Sequence, residues 1–269
     1  MLAAGNIKHE PDKWVKANIS DASLEHRVFT RLSAKAKTFS KVKFNYSTFD
    51  NSYLRNCVFD ACDFTGVKFV GCNFYESTFV GCKFDYCTFE RTLIDSDILN
   101  TNCPPFENLK LRFARTLRMN FQQLGDAKSA NKAIGVELQA TKTHLSKAVW
   151  SNESYYRKKY QGLVRAKIFY EWIEFNSLEL IWGNGESALK LIRFVVLIIV
   201  FMAAVDVYFW RPTGEIVSYI SAVETVPEIF LGVLTPDHYP RSYITSIVFV
   251  RLITMGFFLS IIIKRFNRR

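Results

Sequence analysis

The sequence predicts a mixed, multi-domain membrane protein: a β-coil, a helical linker, then an α-helical unit with two membrane spans. Three observations predict it. A phenylalanine recurs on every fifth residue, at Phe39, Phe44, Phe49, Phe59, Phe64, Phe69, Phe74, Phe79, Phe84 and Phe89, with Leu54, Ile94 and Leu99 filling the same beat. Leu191–Trp210 and Tyr243–Ile263 are each apolar and long enough to cross a bilayer. Between them lies Arg211–Ser242, whose apolar stretch Ile220–Leu234 is too short to span.

Residues 1–36 carry no repeat signal and are set apart as an N-terminal segment. No apolar run in Met1–Trp14 marks a secretory signal. A period of five is neither helical nor that of a plain strand, so residues 37–103 read as a repeat architecture. Two residues before each beat the side chain is mostly small, as at Ser47, Ser52, Cys57, Cys62, Val67, Cys72, Ser77, Cys82, Cys87 and Thr92. Lys37 and Asp97 break that rule at the two ends. One large and one small inward position per five residues suits a square coil with four units to a turn. About thirteen units fit, roughly three turns. The phenylalanines are therefore read as core. Five of the 6 cysteines take the small inward position, and are read as buried free thiols of a reducing compartment. Cys62 and Cys82 lie one turn apart, within conceivable disulfide range. No metal spacing is evident.

Asn102-Cys103-Pro104-Pro105 ends the coil, since proline cannot continue a ladder. Residues 104–165 read as a cytoplasmic helical linker. Leu109, Leu111, Phe113, Leu117, Phe121 and Leu124 outline a half-buried helix suited to covering the open last turn. Gly125 and Gly135 mark breaks. Lys142–Lys159 is basic and interleaved with Tyr155, Tyr156 and Tyr160. With spans following, this reads as a surface near anionic lipid rather than a nucleic-acid interface. Residues 166–190 hold an interfacial helix and the segment Trp182-Gly183-Asn184-Gly185-Glu186. Residues 191–269 hold the two spans, about 191–210 and 243–263, and a re-entrant segment at about 220–234. Lys190 and Arg193 precede the first span, and Lys264, Arg265, Arg268 and Arg269 follow the second, which places both termini in the cytoplasm.

The pattern at 37–101 resembles the pentapeptide-repeat family, which implies a right-handed quadrilateral β-helix. Some members mimic DNA with an acidic surface. Here Lys37, Lys41, Lys43, Arg55, Lys68, Lys83 and Arg91 nearly balance the coil's carboxylates, so mimicry is set aside. The order span, short re-entrant helix, loop, span resembles a two-transmembrane potassium-channel subunit. The segment Trp182–Glu186 is similar to the Trp-Gly-x-Gly-Glu of bacterial proteins that fuse pentapeptide repeats to such a pore. Ser146-x-Ala148-x-Trp150 and Glu153–Arg157 are similar to their helical linker. The resemblance implies an α-helical two-transmembrane pore domain with a re-entrant pore helix, a homotetramer in the bacterial inner membrane, and permeant inorganic ions and membrane lipids as partners. No cofactor, metal or nucleic acid is expected.

Aligned on Pro236, Pro227–Val233 falls on the potassium filter Thr-Thr-Val-Gly-Tyr-Gly-Asp. Only the second filter glycine survives, as Gly232; the first is Phe230, which does not readily take left-handed backbone. The filter-like residues are then Thr225, Glu228, Ile229, Phe230, Leu231, Gly232 and Val233. Asp237 sits at the mouth. Two readings stay open: a wider, weakly cation-selective pore with Phe230 or Leu231 as an apolar constriction, or a sealed membrane scaffold. A membrane-depolarising stress or phage-defence effector is a third. On the second span, Gly256, Ser260 and Ser246 share a small, polar face suited to a lumen and hinge. Arg251 lies across the helix from them, with Asp206 or Glu224 as a charge partner inside the protein. A pore-lining ring of Arg251 or its snorkelling to lipid are the alternatives. Scattered histidines and the lack of a phosphate loop or nucleophile triad leave no enzyme reading.

Overall fold

The computed structural model describes residues 7–266, without the side chain of Arg265. Arg268 and Arg269, counted above toward orientation, lie outside the described residues. The chain forms two compact units that divide between Ile168 and Phe169.

Among the described residues the first unit opens with eleven short strands: β1 (Lys8–Pro11), β2 (Ile19–Ser20), β3 (Arg27–Thr30), β4 (Ser33–Lys35), β5 (Thr38–Ser40), β6 (Thr48–Asp50), β7 (Tyr53–Arg55), β8 (Val58–Asp60), β9 (Lys68–Val70), β10 (Thr78–Val80) and β11 (Thr88–Glu90). They stack in parallel as the faces of a square solenoid, in the orders β1-β3-β6-β9-β11, β2-β5-β8-β10 and β4-β7. Bridges Ser23↔Lys43↔Asp63↔Lys83 form the fourth face. Register advances by twenty residues a turn, as in Phe39↔Phe59 and Phe49↔Phe69. Phenylalanines of successive turns therefore stack, with ring centres 4.9 Å apart for Phe39–Phe59 and 5.1 Å for Phe64–Phe84. Those of adjacent faces meet edge to face, as do Phe44 and Phe49 at 5.4 Å.

The solenoid begins earlier than the phenylalanine ladder. Strand β1 pairs with β3 one residue short of the usual register, Glu10↔Phe29, and Trp14 meets Ser33. The inward positions of this first turn are Glu10, Val15, Ile19 and Leu24. The shift and the missing aromatics hid this turn inside what the sequence set apart as residues 1–36. Glu10 is buried at the open end and accepts from Arg27 at 3.1 Å and Lys8 at 2.9 Å.

The serines and cysteines at the small inward position turn out to be cross-turn donors, whereas Val67 only fills space and Thr92 Oγ1 accepts from Cys72 N. Ser47 Oγ donates to the Leu24 carbonyl at 3.0 Å, Ser77 Oγ to Leu54 at 2.6 Å, and Cys62 and Cys82 Sγ to Phe39 and Phe59 at 3.3 Å each. The cysteines are free thiols, not a Cys62–Cys82 disulfide. Burial pushes the Cys72 thiol up to about 11, so it stays protonated. At the corners, residues 21, 26, 31 and on to 91 in fives take left-handed backbone, with φ between 47° and 70°. None of these is β-branched, since a branched side chain clashes in that conformation.

The end of the coil is closed by helices α1 (Ile98–Thr101) and α2 (Glu107–Gln123). The last repeat unit, with Leu99 on the beat, is thus helical rather than extended. Helix α2 continues the ladder with side chains: Thr116 Oγ1 accepts from Phe89 N at 3.0 Å and Gln123 Oε1 from Arg91 N at 3.1 Å. Asn120, fully buried, accepts from Thr92 N at 2.7 Å and donates to Thr92 O at 2.8 Å. Phe113, Leu117 and Phe121 bury over the last rungs, while Leu124 stays exposed. Asn120→Leu leaves both Thr92 backbone groups buried and unpaired. It is expected to cost about 2–4 kcal/mol, read as faster hydrogen exchange across residues 84–94.

Helix α3 (Ala127–Trp150) starts after Gly125 with Asp126 as its N-cap, accepting from Ser129 N at 3.0 Å. Gly135 lies inside α3 and breaks nothing. Helix α4 (Ser154–Lys159) follows. Arg157 and Arg165 donate to the terminal carbonyls of α3, Arg157 to Ala148 O at 2.7 Å and Arg165 to Val149 O at 2.9 Å. Tyr156 and Tyr160 are buried against His144, so two of the three tyrosines in the basic stretch are packing residues rather than surface ones. Burial, and then the Lys159 charge, hold His144 below the ordinary imidazole range.

Helix α5 (Gly162–Trp182) contains the division between the units. The second unit continues with α6 (Ala188–Trp210), α7 (Ile216–Leu231) and α8 (Arg241–Phe266). Two of these, α6 and α8, are long and apolar enough to cross a membrane, and most of each faces outward. A soluble core helix of that composition would be buried.

Candidate functional site

The helices α6, α7 and α8 pack on one another through Met202, Ala203, Val207, Ala222, Val226, Ile229, Phe230 and Ile247. Ala222 and Val226 are fully buried, one turn apart on α7. Their small size lets α7 approach its neighbours closely. The helix runs through Pro227 and ends only at Gly232, whose φ of 84° supplies the left-handed cap. Val233 N then bonds back to Glu228 O at 2.8 Å.

That helix corrects the expected filter. Thr225, Glu228, Ile229, Phe230 and Leu231 all lie within α7, so no extended run of carbonyls forms between 227 and 231. The physical reason is the missing first glycine: with Phe230 in its place the helix runs on to the next residue able to reverse the chain. Ile229 and Phe230 are buried in the helix packing, which removes Phe230 as a constriction; Leu231 and Val233 are exposed. Glu224 and Glu228 lie one turn apart on the exposed face of α7, together with Val217, Ile220 and Leu231. Neither has an ion-pair partner among the described residues. Asp237 is exposed in the loop after α7.

Asp206 does not meet Arg251. It is buried, and its carboxylate accepts from Arg211 and from the Tyr239 hydroxyl. Arg211 also donates to Ser221 Oγ and, at 2.8 Å, to Thr225 Oγ1 on α7. The guanidinium thus satisfies one carboxylate and two hydroxyls at the end of α6. In the sequence Arg211 stood out only as the first residue of the segment between the two apolar stretches. The signal was Ser221 and Thr225, four apart on one face of α7. Trp210 and Tyr243 enclose the network, 4.5 Å and 5.2 Å from Tyr239 by ring centres.

Arg251 is half-buried on the face of α8 that carries Ile247 and Thr254, turned into the unit. Its guanidinium lies against Gly232, where any Cβ would collide with it. This is the C-terminal end of α7, the negative end of the helix dipole. Its neighbour is therefore a helix terminus and not Asp206 or the exposed Glu224. Ser246, Gly256 and Ser260 line an exposed face of α8, and Gly256 has open space beside it.

At the other end of the unit, the Trp182–Glu186 turn runs through three successive left-handed residues, Gly183, Asn184 and Gly185. Trp182 stacks on Phe257 of α8, centres 4.4 Å apart, and Glu186 pairs with Lys264. Glu179 holds Lys190 and accepts from Asn184 at 3.1 Å. The turn therefore ties α5, α6 and α8 together.

Comparison with known proteins bears on the coil. The family model "Pentapeptide repeats" matches residues 38–75 and 57–94. The coil is a pentapeptide-repeat β-solenoid. QnrB1, a plasmid-mediated fluoroquinolone resistance protein, is a solved structure similar to this chain at 13% identity and a TM-score of 0.17. The match covers 33% of this chain and 61% of that one, so this chain spans less than two thirds of its length. No curated protein matches. The pentapeptide-repeat solenoid here is followed by helices long enough for a membrane. Among the described residues no cluster of three metal-ligating side chains occurs.

Proposed function

We propose that the chain forms a homotetrameric membrane ion channel of potassium-channel-like architecture, weakly selective for cations. The pentapeptide-repeat solenoid serves it as a cytoplasmic module for assembly or gating. One observation carries this reading: Glu224 and Glu228 stand exposed on a 16-residue helix packed between two helices of membrane-spanning length. A carboxylate at that depth needs water or a partner. Four copies around an axis would give these side chains a wet lumen, concentrating cations at its wall. With helix in place of extended filter backbone, selectivity for potassium over sodium is not part of the proposal.

The test is current through purified protein in planar bilayers under asymmetric KCl. Reversal toward the cation equilibrium potential is expected, and Glu228→Gln should lower the cation-to-anion permeability ratio by roughly threefold or more. Reversal toward chloride would overturn the reading. So would silence combined with failure of a water-soluble thiol reagent to label Glu228→Cys. That pair of results would favour a second reading, a non-conducting anchor that displays the solenoid, which draws on the same replacement of filter by helix.

A further inference from the structure

In the first unit, a cavity of about 430 Å³ opens where the last turn of the coil meets the linker helices. Its walls come from the Asp85–Tyr86 corner, from Phe106 and Glu107 at the start of α2, from Lys147 of α3, and from Glu153, Tyr155 and Tyr156 at α4. Four aromatic rings and three carboxylates thus share one lining on a chain of net charge +10. The lining has one cation, Lys147, and that is already paired with Glu153 at 3.2 Å. Asp85 and Glu107 form no ion pair among the described residues.

Three of the four rings, Tyr86, Phe106 and Tyr155, are left exposed, while Tyr156 is buried against His144. Phe106 is 65% exposed at the rim, although it directly precedes a buried helix. Arg112 lies 5.9 Å from the centre of Tyr86, and Lys159 lies 5.3 Å from that of Tyr155. Two of these rings thus already carry a cation each, from side chains outside the lining. Burial, and then Asp63, raise the Asp85 carboxyl above its usual range, against the pull of Lys83. An incoming positive charge would relieve that. A metal ion fits poorly, because ring faces are not metal ligands and no three metal-ligating side chains cluster here among the described residues.

We propose that this cavity binds a small organic ammonium compound, its cationic head held by the faces of Phe106 and Tyr86 and the carboxylates of Asp85 and Glu107. The assignment goes beyond the channel reading and is independent of whether the membrane unit conducts. Isothermal titration of the full chain in nanodiscs with 1,4-diaminobutane, at fixed ionic strength, tests it. Saturable binding is expected at one site per chain. Phe106→Ala should weaken it roughly three- to thirtyfold, and Glu107→Gln or Asp85→Asn roughly tenfold. Unchanged affinity in all three variants would overturn the proposal, as would equal competition by magnesium chloride. Tighter binding of N-acetyl-lysine amide than of the diamine would overturn the small-ligand assignment in favour of a partner protein's lysine. Because these side chains line a surface cavity, matching circular dichroism of variants and wild type would show that lost binding is not lost fold.

Discussion

Phe64→Ala is expected to destabilise the solenoid by about 3–5 kcal/mol, the range for emptying a large aromatic site in a close-packed core. Phe64 is 1% exposed and its ring meets Phe44 at 5.3 Å, Phe84 at 5.1 Å, Phe59 at 5.6 Å and Phe69 at 5.7 Å. Strands on either side are fixed by backbone bonds to turns above and below, so the walls cannot collapse into the space. Phe79→Ala is the comparison, because Phe79 is only partly buried and has less to lose. Hydrogen exchange of residues 55–90 under increasing denaturant reads both. Equal losses at the two positions would contradict a core whose strength follows burial.

Arg211→Leu is expected to cost about 3–5 kcal/mol in the second unit, because it strands the buried carboxylate of Asp206. It also leaves Ser221 and Thr225 without their shared donor. The double variant Arg211→Leu with Asp206→Leu should recover most of that loss, since the charge is then removed along with its partner. Unfolding of the detergent-solubilised protein by denaturant separates the cases. If the double variant is as weak as the single one, the buried charge is not the source of the cost.

How much of this was legible beforehand differs between the units. The solenoid was legible because its period repeats: each Phe is a fresh vote for the same register, and the helix over its end announced itself through Phe113, Leu117 and Phe121. Two further rules were in the sequence but unread. The corner position excludes β-branched residues, and the small inward position favours residues that can donate a hydrogen bond as well as fit. The first turn escaped because a single missing residue shifts Glu10 and Val15 off the beat. In the second unit the helices were legible by length and apolarity. The end of α7 was not, since a helix and a re-entrant filter differ there by whether Phe230 accepts left-handed backbone. Pairings among Asp206, Arg211 and Arg251 depend on helix rotation, and one residue contributes about 100° of it.

The cap on the solenoid constrains how this architecture can change in length. Thr116, Gln123 and Asn120 meet the backbone around one particular corner, the one at Arg91 between the face of Phe89 and the face that Thr92 begins. Inserting a single five-residue unit into the coil would rotate a different face beneath the same helix, a quarter-turn out of phase. Inserting a full twenty residues restores the match. Viable relatives of this protein should therefore differ in coil length by whole turns, so the distance between the coil's first strand and its cap comes in steps of about 4.8 Å.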